Sequence, residues 1–103
     1  MQRYYKNNDE FLSQLYKAIA CLKTEEECKA FFEDLCTYQE LGSFAQRLQV
    51  AKMLNEKYVY NDIIKKTGAS TATISRVNRS LHDGNKSYDI VFERLEEENQ
   101  EVE

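Results

Sequence analysis

Apolar residues recur at intervals of three and four along most of the chain, which is the spacing of one face of an α-helix. The first series lies within residues 8–22 and the second within residues 25–37. A third series covers residues 40–56, and a last one runs from Ser87 to about residue 98. The pattern predicts an all-α chain.

Residues that cap helices stand before two of these series. Asn7-Asn8-Asp9 is typical of a helix start, because short polar side chains accept hydrogen bonds from free backbone N–H groups. Thr24 and Glu27 have the spacing of a capping box, in which hydroxyl and carboxylate each accept from a free N–H. We therefore expect the first helix to begin near residue 8 and the second at residue 25.

Two shorter helices are predicted between the third and last series, joined by a glycine turn. Residues 61–67 can form about two turns, with a start that could lie as far back as Val59. Gly68 can supply the left-handed conformation that ends this helix. Ser70 is a suitable N-cap for a following helix over 71–81. Two short helices joined in this way predict a helix-turn-helix at about residues 60–81.

Composition is consistent with one small helical domain. The chain has 103 residues, no proline and three glycines. We assign residues 1–98 to a single domain and residues 99–103 to an acidic tail that we expect to fray. A chain of this length buries a limited core by itself, so a homodimer that shares its core is expected. The start of the chain lacks the apolar run of a signal peptide, and no stretch could span a membrane, which predicts a cytoplasmic protein.

The cysteines have no metal-binding or redox spacing. They are three in number, with no CxxC pair, and the one histidine lies far away at His82. Cys28 and Cys36 fall on the apolar face of the second helix, so buried thiols are predicted in preference to a metal or redox site. No nucleophile–base pair is visible either, so an enzyme is not expected.

Charge is distributed unevenly along the chain. Residues 43–82 carry seven basic and two acidic residues, a net charge of +5, whereas the remainder carries seven basic and sixteen acidic residues, a net charge of −9. Such asymmetry points to an anionic partner for the basic part. Since the basic part contains the predicted helix-turn-helix, double-stranded DNA is the expected partner.

The helix over 71–81 is expected to bury Ile74 and Val77, with Ala72 partly buried, and to display short hydroxyl side chains and arginines on its other face. Small residues let a helix enter the major groove, and an arginine can bind guanine with two hydrogen bonds. Lys65 and Lys66, with Lys52 and Lys57, would hold phosphates without reading sequence. The candidate DNA-binding residues are Ser70, Thr71, Ala72, Thr73, Ser75, Arg76, Arg79, Lys65 and Lys66.

The stretches LGSFAQRLQVAKML and DIIKKTGASTATISRVNRSL resemble the core of the Trp-repressor superfamily. Over about residues 10–95 the chain is still more similar to the branch of that superfamily named for YerC and YecD. The resemblance implies a six-helix chain, an intertwined homodimer and one helix-turn-helix in each subunit. It also implies a sequence-specific transcriptional regulator that represses its genes.

The resemblance further implies a possible ligand pocket at Gln46, Arg47 and Arg76. In tryptophan-sensing members, arginines matching Arg76 and a position near Gln46 or Arg47 hold the amino-acid corepressor. The residue after Arg76 is glycine in those repressors and borders the indole, whereas here it is Val77. A branched side chain should occupy that space, so no tryptophan cofactor is expected, and Arg76 is better explained as a phosphate or base contact.

Two other functions are left open by the residues. One is a repressor gated by an amino acid or another metabolite. The ligand would set the spacing of the two DNA-binding heads, a head being the helix-turn-helix at about residues 60–81 of each subunit. The other is a helical protein-interaction module without DNA binding, which the overall charge of −4 and the acidic tail favour.

Overall fold

The computed structural model describes the backbone of residues 2–102 and the side chains of residues 9–100. Within this part the chain forms helices joined by short turns, as the apolar periodicity predicts. The helices are α1 Gln2–Ala20, α2 Glu25–Leu35, α3 Tyr38–Asn55, α4 Tyr60–Thr67, α5 Thr71–Asp83 and α6 Ser87–Val102. None of these described helices combines the length and the apolar character that crossing a bilayer requires.

Helices α2 and α3 both begin with capping boxes. Before α2, Thr24 Oγ1 accepts from the Glu27 N–H at 3.1 Å, as predicted, and Glu27 Oε1 accepts from the Lys23 N–H at 2.9 Å. Before α3, the Thr37 hydroxyl accepts from the Glu40 N–H at 3.1 Å, and Glu40 Oε1 accepts from the Thr37 N–H at 2.8 Å. The second box sets the start of α3 at Tyr38, two residues before the predicted start.

The predicted ends differ from the observed ones at several helices. Helix α1 begins at Gln2 and not near residue 8, so Asn7-Asn8-Asp9 does not start it. The preceding residues include Gln2, Arg3 and Lys6, which are good helix formers, so helix propensity outweighs the local capping signal. Helices α1 and α2 end two residues earlier than predicted, whereas α5 extends two residues further, to Asp83.

Helix α6 continues to Val102. Residues 99–102 are therefore helical where we expected a frayed tail, and Glu103 lies outside the described residues. The run of Glu and Gln residues at this end has high helix propensity, which explains the extension. Fraying of this end in solution stays a prediction.

The chain divides into two compact units, residues 1–41 and 42–103, and the division falls within α3. The second unit contains the core, in which α3, α4 and α5 meet. Its members are Val50, Ala51, Met53, Ile63, Ala69, Ile74 and Val77, with Leu54, Ile64, Leu81, Tyr88 and Phe92 packed against them. Ile74 is fully buried and Val77 is 2% exposed, so the predicted inward face of α5 is the observed one.

In the first unit, α1 and α2 expose apolar side chains that the periodicity had predicted to face inward. Phe11 is 62% exposed, Tyr16 61% and Leu35 52%. Cys21 and Cys28 are exposed and Cys36 is half-buried, so the prediction of buried thiols is wrong for the single chain. Apolar periodicity marks the face that a helix can bury, and it does not say whether the same chain covers that face.

Candidate nucleic-acid interface

The turn between α4 and α5 has the backbone conformation that its glycine predicts. Gly68 lies in the left-handed region, with φ 73° and ψ 6°, and its N–H donates to the Ile64 carbonyl at 2.8 Å. A Cβ atom at this position would meet no atom within 4 Å. Glycine is therefore favoured at this turn by its φ angle and not by a shortage of space.

Thr67 organises the same turn, a role that the sequence analysis missed. Its hydroxyl donates to the Ile63 carbonyl at 2.7 Å and accepts from the Ala69 N–H at 3.1 Å. Its carbonyl oxygen accepts from Gln46 Nε2 of α3 at 3.1 Å. The turn is thus bonded to the helix before it, to the residue after it and to α3.

The start of α5 is capped as predicted. Ser70 has extended backbone angles, and its hydroxyl oxygen accepts from the Thr73 N–H at 3.1 Å. The same hydroxyl donates to Thr73 Oγ1 at 3.1 Å. Thr73 is half-buried beside this cap, at the edge of the face where it was predicted. The capped N-terminus keeps a partial positive charge directed outward.

The exposed face of α5 carries the candidate DNA-binding residues of this helix. Thr71, Ser75 and Arg79 follow one another at four-residue intervals and therefore form a single stripe along the helix. Ala72 and Arg76 form a parallel stripe beside it, and all five side chains are exposed. Ala72 was expected to be partly buried, but the helical rotation places it next to Arg76 and away from the core face.

Both arginines of this face have free guanidinium groups within the described part of the chain. The one ion pair among residues 9–100 joins Lys29 to Glu33, outside α5. Ser80 donates to the Arg76 backbone carbonyl at 3.3 Å, and none of the side-chain hydrogen bonds among residues 9–100 involves the guanidinium group of Arg76 or Arg79. The face therefore offers two cations and two hydroxyls to a partner.

Four lysines lie in or just before the helix-turn-helix. Lys65 and Lys66 are exposed in the last turn of α4, and Lys52 is exposed on α3. Lys57 follows α3 and has φ 69°, a left-handed conformation that is unusual for a residue other than glycine. It occupies the turn of a Schellman motif, in which the Tyr58 N–H donates to the Met53 carbonyl at 3.0 Å.

The predicted ligand-pocket residues have other partners. The Gln46 amide bonds to Thr67, and the Arg47 guanidinium lies 5.2 Å from the centre of the Phe44 ring. Arg76 is exposed on α5. Two of the three residues are thus engaged inside the chain, in contacts that need no ligand. Among the described residues, no group of His, Cys, Asp or Glu is placed to hold a metal ion.

The chain is similar to known proteins over most of its length. A family model described as Trp repressor protein matches residues 10–96. The chain is 54% identical over 86 residues to the protein YerC of Bacillus subtilis (strain 168), whose function is uncharacterised; the match covers 84% of this chain and 83% of YerC.

Two solved structures have the same fold. One is a TrpR-like protein from Eubacterium eligens, with a TM-score of 0.80 and 59% identity, covering 84% of this chain and 89% of that one. The other is a Trp repressor candidate from Staphylococcus aureus, with a TM-score of 0.80 and 50% identity, covering 84% of this chain and 87% of that one.

Proposed function

Because the chain belongs to the Trp repressor family, a family of regulators, we propose that it is a sequence-specific DNA-binding transcriptional regulator that acts as a repressor. Its α5 reads the major groove as the second helix of a helix-turn-helix. The observation that carries this proposal is the exposed stripe of Thr71, Ser75 and Arg79 on a helix whose opposite face is buried.

The residues of α5 divide into two roles along the helix. At the N-terminus, which the Ser70 hydroxyl caps, the free backbone N–H groups and the Thr71 hydroxyl are the donors directed at a phosphate, where the helix dipole adds to the attraction. Ser75, Arg76 and Arg79 lie further along and reach base edges or phosphates. An arginine that binds guanine with two hydrogen bonds contributes about 1–3 kcal/mol of discrimination against the wrong base.

The lysines supply affinity without sequence choice. Lys65 and Lys66 lie beside the α4–α5 turn, and Lys52 and Lys57 lie on and just after α3. Each neutralises a phosphate and releases bound counterions, so DNA affinity falls steeply as salt concentration rises. The net charge of +5 on residues 43–82 has the sign that this role requires.

The regulator acts as a homodimer, as members of its family typically do. In support, α3 and α6 line a groove of about 400 Å³ that includes Leu48, Phe92 and Leu95. Leu48 is 42% exposed and Leu95 46%, and Phe11 and Tyr16 of α1 are more exposed still. A second copy would cover such apolar surface and present two heads to half-sites about 34–36 Å apart, one turn of DNA.

The test is selection of duplexes from a random pool by the purified chain, followed by affinity measurements on the selected sequence. Arg76→Ala and Arg79→Ala are each expected to weaken binding by about 5- to 150-fold and to relax the preference at one or more base pairs. Arg94→Ala is the matched control, because Arg94 is exposed on α6 outside the helix-turn-helix. Unchanged affinity and preference in both α5 variants would remove the proposed reading face.

A further inference from the structure

The α4–α5 turn is held to α3 by a hydrogen bond between two residues far apart in sequence. Gln46 Nε2 donates to the Thr67 carbonyl at 3.1 Å, across 21 positions of the chain. Both residues are half-buried. Among the side-chain hydrogen bonds of the described residues, the others join positions at most four apart. Within the described residues, this is therefore the one side-chain hydrogen bond that joins two helices, α3 and α4.

The accepting carbonyl lies at the point where α4 ends. The last carbonyls of a helix have no partner within the helix, and a half-buried one needs a donor from elsewhere. The Ile64 carbonyl is satisfied by the Gly68 N–H, and the Thr67 carbonyl is satisfied by Gln46. Only Gly68 and Ala69 separate Thr67 from Ser70, so the bond lies three residues before the N-cap of α5.

We propose that Gln46 is a positioning residue for DNA binding: its amide fixes the angle of α5 relative to α3 without touching DNA. This role rests on the proposed function. The packing of Ile63, Ile74 and Val77 holds α4 and α5 against α3, but apolar packing is not directional. A hydrogen bond with a defined donor and acceptor adds the direction. Gln46 thus keeps the head oriented by a contact inside the chain, with no requirement for an added ligand.

The position of α5 matters most where two heads must meet two half-sites at one spacing. A head that can rotate about the turn would bind at several half-site spacings. At each of them its affinity would be lower than that of a fixed head at its one preferred spacing. The loss of Gln46 is therefore expected to change spacing preference, whereas the loss of a phosphate contact changes the salt dependence.

The experiment compares the full chain with Gln46→Met, Gln46→Lys and Gln39→Met. Met has a similar length and cannot donate, whereas the Lys ammonium can reach and donate to the same carbonyl. Gln39 is exposed near the start of α3, so its variant controls for the Gln-to-Met exchange in the same helix. Affinity is measured on the selected duplex and on duplexes with the half-site spacing changed by one base pair, at several salt concentrations.

Gln46→Met is expected to weaken binding to the selected duplex by about fivefold per head, or roughly 25-fold for two heads, from the net value of one hydrogen bond. The penalty for altered spacing should shrink, and the salt slope should stay unchanged. Gln46→Lys should retain the spacing preference, and Gln39→Met should behave as the parent. Amide hydrogen exchange without DNA should accelerate within residues 60–69 in Gln46→Met, and much less in the remainder of the core.

Different results overturn different statements. A parent chain that selects no duplex overturns the proposed function and with it the DNA-binding role of Gln46. If the parent selects a duplex and Gln46→Met keeps its affinity, spacing preference and exchange, only the role of Gln46 is overturned. If Gln46→Met weakens DNA binding equally at every spacing and accelerates amide exchange throughout residues 42–100, Gln46 contributes to overall stability. That result would also overturn its positioning role.

Discussion

Lys57 stands in a backbone conformation that residues with a Cβ atom rarely adopt. Its φ of 69° places it at the left-handed position of the turn that ends α3, where glycine is usual. The left-handed conformation costs a residue with a side chain about 1–2 kcal/mol. Gly68 occupies the equivalent position after α4 without this cost. The Lys57 side chain therefore lowers stability at this turn, and functional sites are where such local costs are expected.

Replacing Lys57 separates the backbone cost from the charge. Lys57→Gly is expected to raise the free energy of unfolding by about 0.5–1 kcal/mol, because the relief of left-handed strain exceeds the added chain entropy. Lys57→Ala keeps the strain and should leave stability near that of the parent. Both variants lose the same charge, so both should weaken DNA binding equally and lower the salt slope by about one. Urea titration and salt-dependent binding measure the two effects. Equal stability of the two variants would contradict the backbone argument.

At the scale of the element, the recognition helix depends on a well-defined start. Ser70 closes the N-terminus of α5 through the Thr73 N–H. At the other end, the Gly84 N–H donates to the Ser80 carbonyl at 3.0 Å. A Cβ atom at Gly84 would clash with that carbonyl oxygen. Gly84 thus serves a different purpose from Gly68, since its φ is −83° and the constraint is steric.

The N-cap of α5 can be tested by one hydroxyl deletion. Ser70→Ala is expected to lower the free energy of unfolding by about 1 kcal/mol, within the range of 0.5–2 kcal/mol for such caps. Ser80→Ala is the matched control, because the Ser80 hydroxyl bonds only the Arg76 carbonyl of its own helix and should be close to neutral. Thermal and urea unfolding measure both. A Ser70 variant as stable as the Ser80 variant would show that the cap contributes nothing.

Alanine at two glycines should have opposite effects on stability. Gly84→Ala is expected to destabilise by about 1–3 kcal/mol, because the backbone of α5 must shift to admit the Cβ atom. Gly42 lies within α3, and a Cβ atom there meets nothing within 4 Å in the single chain. Gly42→Ala should therefore stabilise by roughly 0.5–1 kcal/mol. Unfolding at several protein concentrations measures both; destabilisation by Gly42→Ala that depends on concentration would place a second copy against Gly42.

At the scale of the whole molecule, the single chain leaves many of its large apolar side chains exposed. Among residues 9–100, the seven buried residues all lie within residues 50–77, whereas α2 has no buried residue. The exposed apolar faces are expected to be covered when two chains associate.

One charged substitution on the exposed groove tests this association. Leu95→Asp is expected to shift sedimentation from dimer toward monomer and to weaken DNA binding in parallel, because a buried carboxylate without a partner is costly. Val59→Asp is the control for sedimentation alone: Val59 is 61% exposed and immediately precedes α4, away from the groove of α3 and α6. If the parent chain sediments as a monomer at micromolar concentration, the homodimer is wrong.

The sequence by itself determined the helices and the helix-turn-helix, because both depend on local chemistry. Apolar spacing located α2 to α5 to within about two residues, whereas α6 runs four residues further than predicted. Gly68 and Ser70 marked the turn and the cap that are observed. The exposed face of α5 followed from the same 3.6-residue period, since Ile74 and Val77 define the buried side.

The tertiary structure decided what depends on residues far apart in the chain. The bond from Gln46 to Thr67 crosses 21 positions, and no local spacing could have indicated it. The burial of Cys28 or Leu35 likewise depends on what covers α2, so the apolar face that periodicity indicates was not enough to predict their burial. Local patterns report which conformations a segment prefers, whereas contacts between segments depend on how the whole chain is packed.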